Sequence, residues 1–128
     1  MSYYMNKKLS MSFDDAIAKV TEELKKEGFG VLTDIDVKAT LKKKLDVDFR
    51  KYRILGACNP PFAYKALQAE DKIGIMLPCN VVVQEIEDGK VEVAAIDPMA
   101  SMLAVGNPAL KEIAAEIRNK LKTVISRL

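Results

Sequence analysis

The sequence predicts an α+β domain built as a curved antiparallel sheet in β-α-β4-α order, with two long helices on one face and short helical insertions between strands. Three observations carry this prediction. Apolar residues recur at helical spacing near both ends of the chain, as Phe13, Ala16, Ile17, Val20 and Leu24, and again as Leu110, Ile113, Ala114, Ile117, Leu121, Val124 and Ile125. Between them lie short β-branched runs separated by turn residues, including Asp88-Gly89, the favoured centre of a two-residue hairpin. With 128 residues, of which 49% are hydrophobic, the chain fits a single domain, 1–128, that removes roughly two-thirds of its unfolded surface from water.

The first strand is predicted over residues 3–9. Ser12 then offers a helix cap, and Asp14 and Asp15 complement the dipole of the first turn. Gly28 ends that helix, and residues 29–37 read as a strand. A short lysine-rich helix over 38–45 precedes a strand over 52–57. Asn59-Pro60 marks a cap and first turn for a helix through Leu67, which puts Cys58 at a strand-to-helix junction. Residues 73–86 and 91–96 flank the hairpin turn, although Pro78 argues against an uninterrupted strand through 76–80. Counting outward from the turn pairs Ile86 with Val91, Gln84 with Val93 and Val82 with Ala95, so Val82, Ile86, Val91 and Val93 are expected on the core face. The other face is polar near the turn and apolar farther in, at Val81, Val83, Ala94 and Ile96, which calls for a cover and suggests a homodimer. Asp97-Pro98 leads into an aperiodic, methionine-bearing connection that packs. Asn107-Pro108 then starts the last helix. Sequential pairing places strands two to five side by side, with the first strand returning beside the fifth.

Composition limits the chemistry. The chain has no histidine, which removes the usual neutral-pH base, the usual partner of a catalytic cysteine and the commonest metal ligand. No metal centre and no cofactor is assigned. The N-terminal residues lack a signal-peptide core and no later run approaches a bilayer's thickness, so a soluble cytoplasmic protein without membrane association is expected. Residues 38–53 carry seven basic groups against Asp46 and Asp48, but no aromatic or glycine-rich element interleaves the lysines of residues 38–44. A solvated helix face is therefore favoured, and nucleic acid is not an expected partner.

The only two cysteines each precede an asparagine, in Gly56-Ala57-Cys58-Asn59-Pro60-Pro61 and in Leu77-Pro78-Cys79-Asn80-Val81. Both thiols are expected at strand ends, where a reactive group is held rigidly yet stays reachable. Cys58 is the better candidate nucleophile, because a helix starting after Asn59 would aim N–H groups at its sulfur. Cys79, opening an apolar strand, is more simply a small buried side chain. Together they form the candidate catalytic pair, with Asn59, Asn80 and Arg53 as candidate ligand-binding residues. Asn59 also reads as a helix cap, and Asn80 as a partner for backbone groups at a bulge. Asp34, Asp36 and Thr33 are oxygen donors on a strand end, for which solvent exposure is the simpler reading.

These motifs, with Gly28-Phe29-Gly30-Val31-Leu32-Thr33-Asp34-Ile35-Asp36-Val37 and Tyr52-Arg53-Ile54-Leu55-Gly56-Ala57-Cys58-Asn59-Pro60, resemble a prokaryotic family known as domain-of-unknown-function family three hundred and two. The resemblance spans nearly the whole chain. It implies a TATA-binding-protein-like β-α-β4-α domain, commonly a homodimer, with no established biochemical activity. Distant members of that fold class bind lipophilic ligands between helix and sheet, and others bind DNA; fold analogy alone assigns neither. The resulting expectation is a homodimeric binding or accessory domain with a small-molecule or sulfur-linked site at the Cys-Asn motifs. The alternatives are a thiol-dependent redox or sulfur-transfer enzyme using Cys58 and Cys79, and a macromolecular interaction module.

Overall fold

A computed structural model describes residues 2–128. Among these, five strands form one antiparallel sheet, β1 (Tyr4–Leu9), β2 (Gly30–Asp36), β3 (Tyr52–Cys58), β4 (Cys79–Glu87) and β5 (Lys90–Ile96), in the order β1-β5-β4-β3-β2. The long helices α1 (Phe13–Lys26) and α5 (Lys111–Ser126) cover one face, α1 against β4 and β5 and α5 against β1 and β5. The predicted order and the return of β1 beside β5 are both present.

Local chemistry explains the element ends. Ser12 accepts the Asp15 N–H at 3.1 Å to start α1, and Gly28, at φ +86°, turns the chain out of it. Asp36 caps the exposed helix α2 (Val37–Leu45) by accepting the Ala39 N–H at 2.9 Å. Helix α3 (Pro60–Ala69) follows β3, and α4 (Pro98–Leu103) forms where the sequence had suggested only an aperiodic connection, because Asp97 accepts the Met99 N–H at 3.0 Å and Pro98 fits the first turn. The long strand expected from residue 73 begins only at Cys79. Ile73–Met76 is a 3-10 turn, and Pro78, which cannot donate to the sheet ladder, stands just outside the strand.

The hairpin corrects the register obtained by counting. Glu87 pairs with Lys90 as expected, but Glu85 pairs with Val91, so Ile86 is an extra residue in a bulge. Every pairing beyond it shifts by one. Val83 faces Val93 and Val81 faces Ala95, all fully buried, whereas Ile86 is 42% exposed. Val81 and Val83 therefore belong to the helix-covered core, and Val82, Ala94 and Ile96 lie on the open face.

The packing forms two clusters. The main core joins α1, the inner sheet face and the last three turns of α5 through residues such as Leu24, Val83, Val93, Leu121 and Val124. A smaller core under α3 and the 3-10 turn contains Ala66, Ile73 and Leu110, and Ile113 packs against both.

Gly56 holds the far end of the sheet together. A Cβ there would run into Thr33 Oγ1 on β2 and come within 2.7 Å of Pro78 Cγ. We expect Gly56→Ala to cost about 1–3 kcal/mol in urea unfolding. Gly74→Ala, with open space around its Cβ position, should cost under about 1 kcal/mol.

Candidate functional site

The two cores meet through Ile113 and are otherwise separate. Between them is an open-sided cavity of about 310 Å³, lined by Phe29, the ends of β3 and β4, the inner face of α3, and residues of α4 and α5. Its origin lies in small side chains. The α3 face turned toward the sheet presents Ala63 and Ala66, and Ala57 and Ala114 stand on the facing elements, so the backbones are held apart without side chains large enough to fill the gap. The wall is almost wholly hydrocarbon, with Phe62, Leu77, Met102 and Ile117 among its residues.

Polar ties outside the cavity fix its frame. Buried Asp97 accepts Nε of Arg118 at 3.0 Å, joining α4 to α5. Asn107 donates from Nδ2 to Ala69 O at 3.0 Å and accepts the Ala109 N–H at 3.0 Å, joining the end of α3 to the approach to α5.

Both cysteines line this cavity, and both are half-buried and free. Register brings them together: Ala57 pairs with Cys79, so the 21-residue separation in sequence becomes adjacency across two strands. Burial pushes the Cys79 thiol from 9.0 up to about 11, and charge on Cys58 acts in the same direction. Cys58 sits at the strand-to-helix junction, but the helix end beside it differs from the one the sequence suggested. Pro60 and Pro61 carry no N–H, and the Ala63 N–H is taken by Asn59 O at 2.9 Å. Only Phe62 among the first-turn residues keeps a donor outside that bonding pattern, which leaves little of the N-terminal field that would stabilise a thiolate.

Asn59 also lines the cavity and is only 8% exposed. It occupies the cap position of α3, but its side chain makes no capping hydrogen bond. Instead Nδ2 donates to Glu27 O at 3.2 Å, tying the junction to the end of α1. The remaining candidates lie elsewhere. Asn80 pairs with Gly56 on the open face of the sheet and is exposed. Arg53 donates from Nε to Asp34 Oδ1 at 2.8 Å, and this hydrogen bond holds the Asp34 carboxyl below its usual pKa against the opposing effect of burial. Asp36 is spent on capping α2, and Thr33 packs against Gly56. Among the described residues no three His, Cys, Asp or Glu side chains converge as a metal-binding group.

Sequence reasoning missed the α3 alanines and Met102. The available signal was Ala63-x-x-Ala66 beside larger apolar residues, a helix face too small to fill the space against a sheet.

A model of the family described as "Domain of unknown function DUF302" matches residues 5–128. The chain belongs to the DUF302 family. The DUF302 chain is also similar to the crystal structure of the uncharacterised conserved protein DUF302 from Bacillus stearothermophilus, at 34% identity and a TM-score of 0.91, covering 99% of this chain and 98% of that one. No functionally curated protein matches it. The shared fold extends over the cavity and its walls, since all of them lie within the matched residues.

The Cys79 environment predicts a pH response. Its unfolded thiol ionises near 9 and its folded thiol only near 11, so the neutral form favours folding. That contribution is complete below pH 9 and is lost as pH climbs toward 11. Alkylation of native Cys79 by iodoacetamide, followed by peptide mapping, should rise about tenfold per pH unit from 8 to 10, and Cys79→Ala should flatten the decline in stability between pH 9 and 11.

Proposed function

We propose that this DUF302 domain binds a small apolar molecule in the cavity beside Cys58, Asn59 and Cys79. The observation that supports the reading is the unfilled space itself: about 310 Å³ of hydrocarbon-walled room, opening to solvent, between two otherwise close-packed cores. Ligand sites are commonly concave, apolar and furnished with few polar groups, and apolar surface held against water gains from an apolar occupant. A reducing cytoplasmic setting suits the two free thiols.

A thiol-dependent redox or sulfur-transfer enzyme is the second reading, favoured by the convergence of both cysteines on one cavity. The raised pKa of Cys79 and the proline-blocked helix end beside Cys58 argue against it, because a resolving thiol must ionise to attack. Ligand binding with neutral thiols accounts for the same geometry without that requirement.

We also propose that the domain acts as a homodimer through the open face of its sheet. Ile35, Ile54, Val82 and Ala94 form a stripe across β2, β3, β4 and β5 there, flanked by Tyr4 and Ile96. Several charged groups of the basic segment are used internally. Lys42 pairs with Asp46 at 2.9 Å and Asp48 at 3.5 Å, Arg53 pairs with Asp34, and the Arg50 guanidinium lies 4.4 Å from the Phe49 ring centre. This internal pairing argues against a nucleic-acid surface. Among the described residues, no helix is long and apolar enough to cross a membrane.

Filling the cavity tests the binding reading. Ala63→Phe should leave the unfolding midpoint within a few degrees of wild type and weaken binding of a small aromatic probe such as indole at least tenfold by NMR titration. Unchanged affinity would count against the cavity. For the assembly, light scattering should give twice the 14.2 kDa chain mass, and Val82→Glu should give the monomer.

A further inference from the structure

We propose that the occupant of the cavity is a small, neutral, mostly apolar molecule that presents one hydrogen-bond donor, an N–H or O–H, to Oδ1 of Asn59. The proposal deepens the binding reading above and rests on it.

The two ends of the Asn59 amide have different surroundings. The Nδ2 end is committed: it donates to Glu27 O at 3.2 Å and lies 3.2 Å from the position a Cβ would take on Gly28. That bond fixes the amide orientation and leaves Oδ1 on the side away from α1, where the residue lines the cavity. Among the described residues no donor meets Oδ1, although the side chain is more than nine-tenths buried. A cap side chain ordinarily accepts from the second or third helical N–H. Pro61 removes the second for a covalent reason, the third, on Phe62, is not donated to the Asn59 side chain, and the Ala63 N–H reaches the main-chain oxygen of Asn59. Among the described residues the fully buried side-chain oxygen without a partner is Glu23 Oε2, so Asn59 Oδ1 keeps accessible surface in the open cavity; an apolar occupant strips that surface of water at a cost of about 1–3 kcal/mol unless it supplies the donor itself.

The rest of the wall limits the ligand further. Apart from Asn59 it offers hydrocarbon and two thiols, one of them held neutral by burial, and its lining contains no Lys, Arg, Asp or Glu. A charged group would lose its hydration without a counter-charge, which excludes carboxylates, phosphates and ammonium ions as the buried end. The volume matches about ten water molecules at roughly 30 Å³ each, a space suited to one or two fused rings. The sequence Cys-Asn-Pro-Pro thereby acquires a role: Pro61 removes one capping donor, and the asparagine amide, tied to Glu27 O, leaves its oxygen for a ligand.

The test compares two near-isosteric probes, indole, which has an N–H, and 1-benzothiophene, which has none. Each is titrated by NMR into the intact 13C,15N-labelled domain. In a cavity without an acceptor the affinity ratio follows the ratio of water-to-cyclohexane partition coefficients. We expect indole to exceed that ratio tenfold or more, and the Asn59 carboxamide carbon to shift with indole and not with 1-benzothiophene. If both probes bind with saturable shifts of the Ala63, Ala66 and Ala114 methyls, yet follow partitioning and leave the carboxamide unmoved, the Asn59 inference is overturned and the cavity remains a binding site. If neither shows saturable binding at its solubility limit, the binding reading falls and takes this inference with it.

Discussion

Helix α5 and the approach to it serve two hydrophobic cores at once, and most of the structure depends on that shared packing. Its apolar stripe runs from Leu110, in the small core, through Ile113, which touches both, to Ile117, Leu121, Val124 and Ile125 against α1 and the sheet. Burying such side chains contributes about 1.5–3 kcal/mol each, so the stripe sets the positions of both cores relative to one another. The cavity is what remains where the stripe crosses from one core to the other and meets alanines instead of larger residues. Asp97 and Asn107 then fix α3 and α4 to the same helix approach with buried or half-buried hydrogen bonds, which keeps the space from collapsing.

The chemistry at this seam follows from where the backbone has run out of donors. Two successive prolines open α3, so the helix end beside Cys58 is poor in N–H groups, and Asn59 uses its amide to hold the end of α1 instead of capping the helix that follows it. One consequence is that neither thiol enjoys the field that activates a nucleophilic cysteine, and Cys79 is pushed the other way by burial. The other is an acceptor without a protein donor at the edge of an apolar space. Both features point toward recognition of a neutral molecule more than toward thiolate chemistry.

The open face of the sheet owes its character to a single residue. Insertion of Ile86 as a bulge moves Val81 and Val83 under the helices and leaves Val82 opposite Ala94 on the uncovered side. The apolar stripe that results is narrower than an uninterrupted hairpin would suggest, and it is bordered by Asn6, Gln84 and Glu92, which are joined by hydrogen bonds of 3.0 and 3.3 Å through Glu92.

Much of this was legible in the residues. Helical periodicity gave α1 and α5, Asp88-Gly89 gave the turn, Pro78 marked the delayed start of β4, and sequential antiparallel pairing led to the observed strand order; each is a local signal or a short-range rule of connection. Cys58 and Cys79 could be placed at strand ends for the same reason. The hairpin register was not legible, because a bulge shifts pairing without changing the alternation that identifies the strand. Nor could the Cys-Asn motifs be separated, since each reads alike along the chain while β4 turns Asn80 to the open face and the β3–α3 junction turns Asn59 inward. The sequence by itself determined the elements, their order and the family, all of which depend on neighbours in the chain. Only the tertiary structure decided that a cavity exists and which side chains face it, because a void is set by the distance between backbones that α5 holds apart and by the small residues that happen to meet across it.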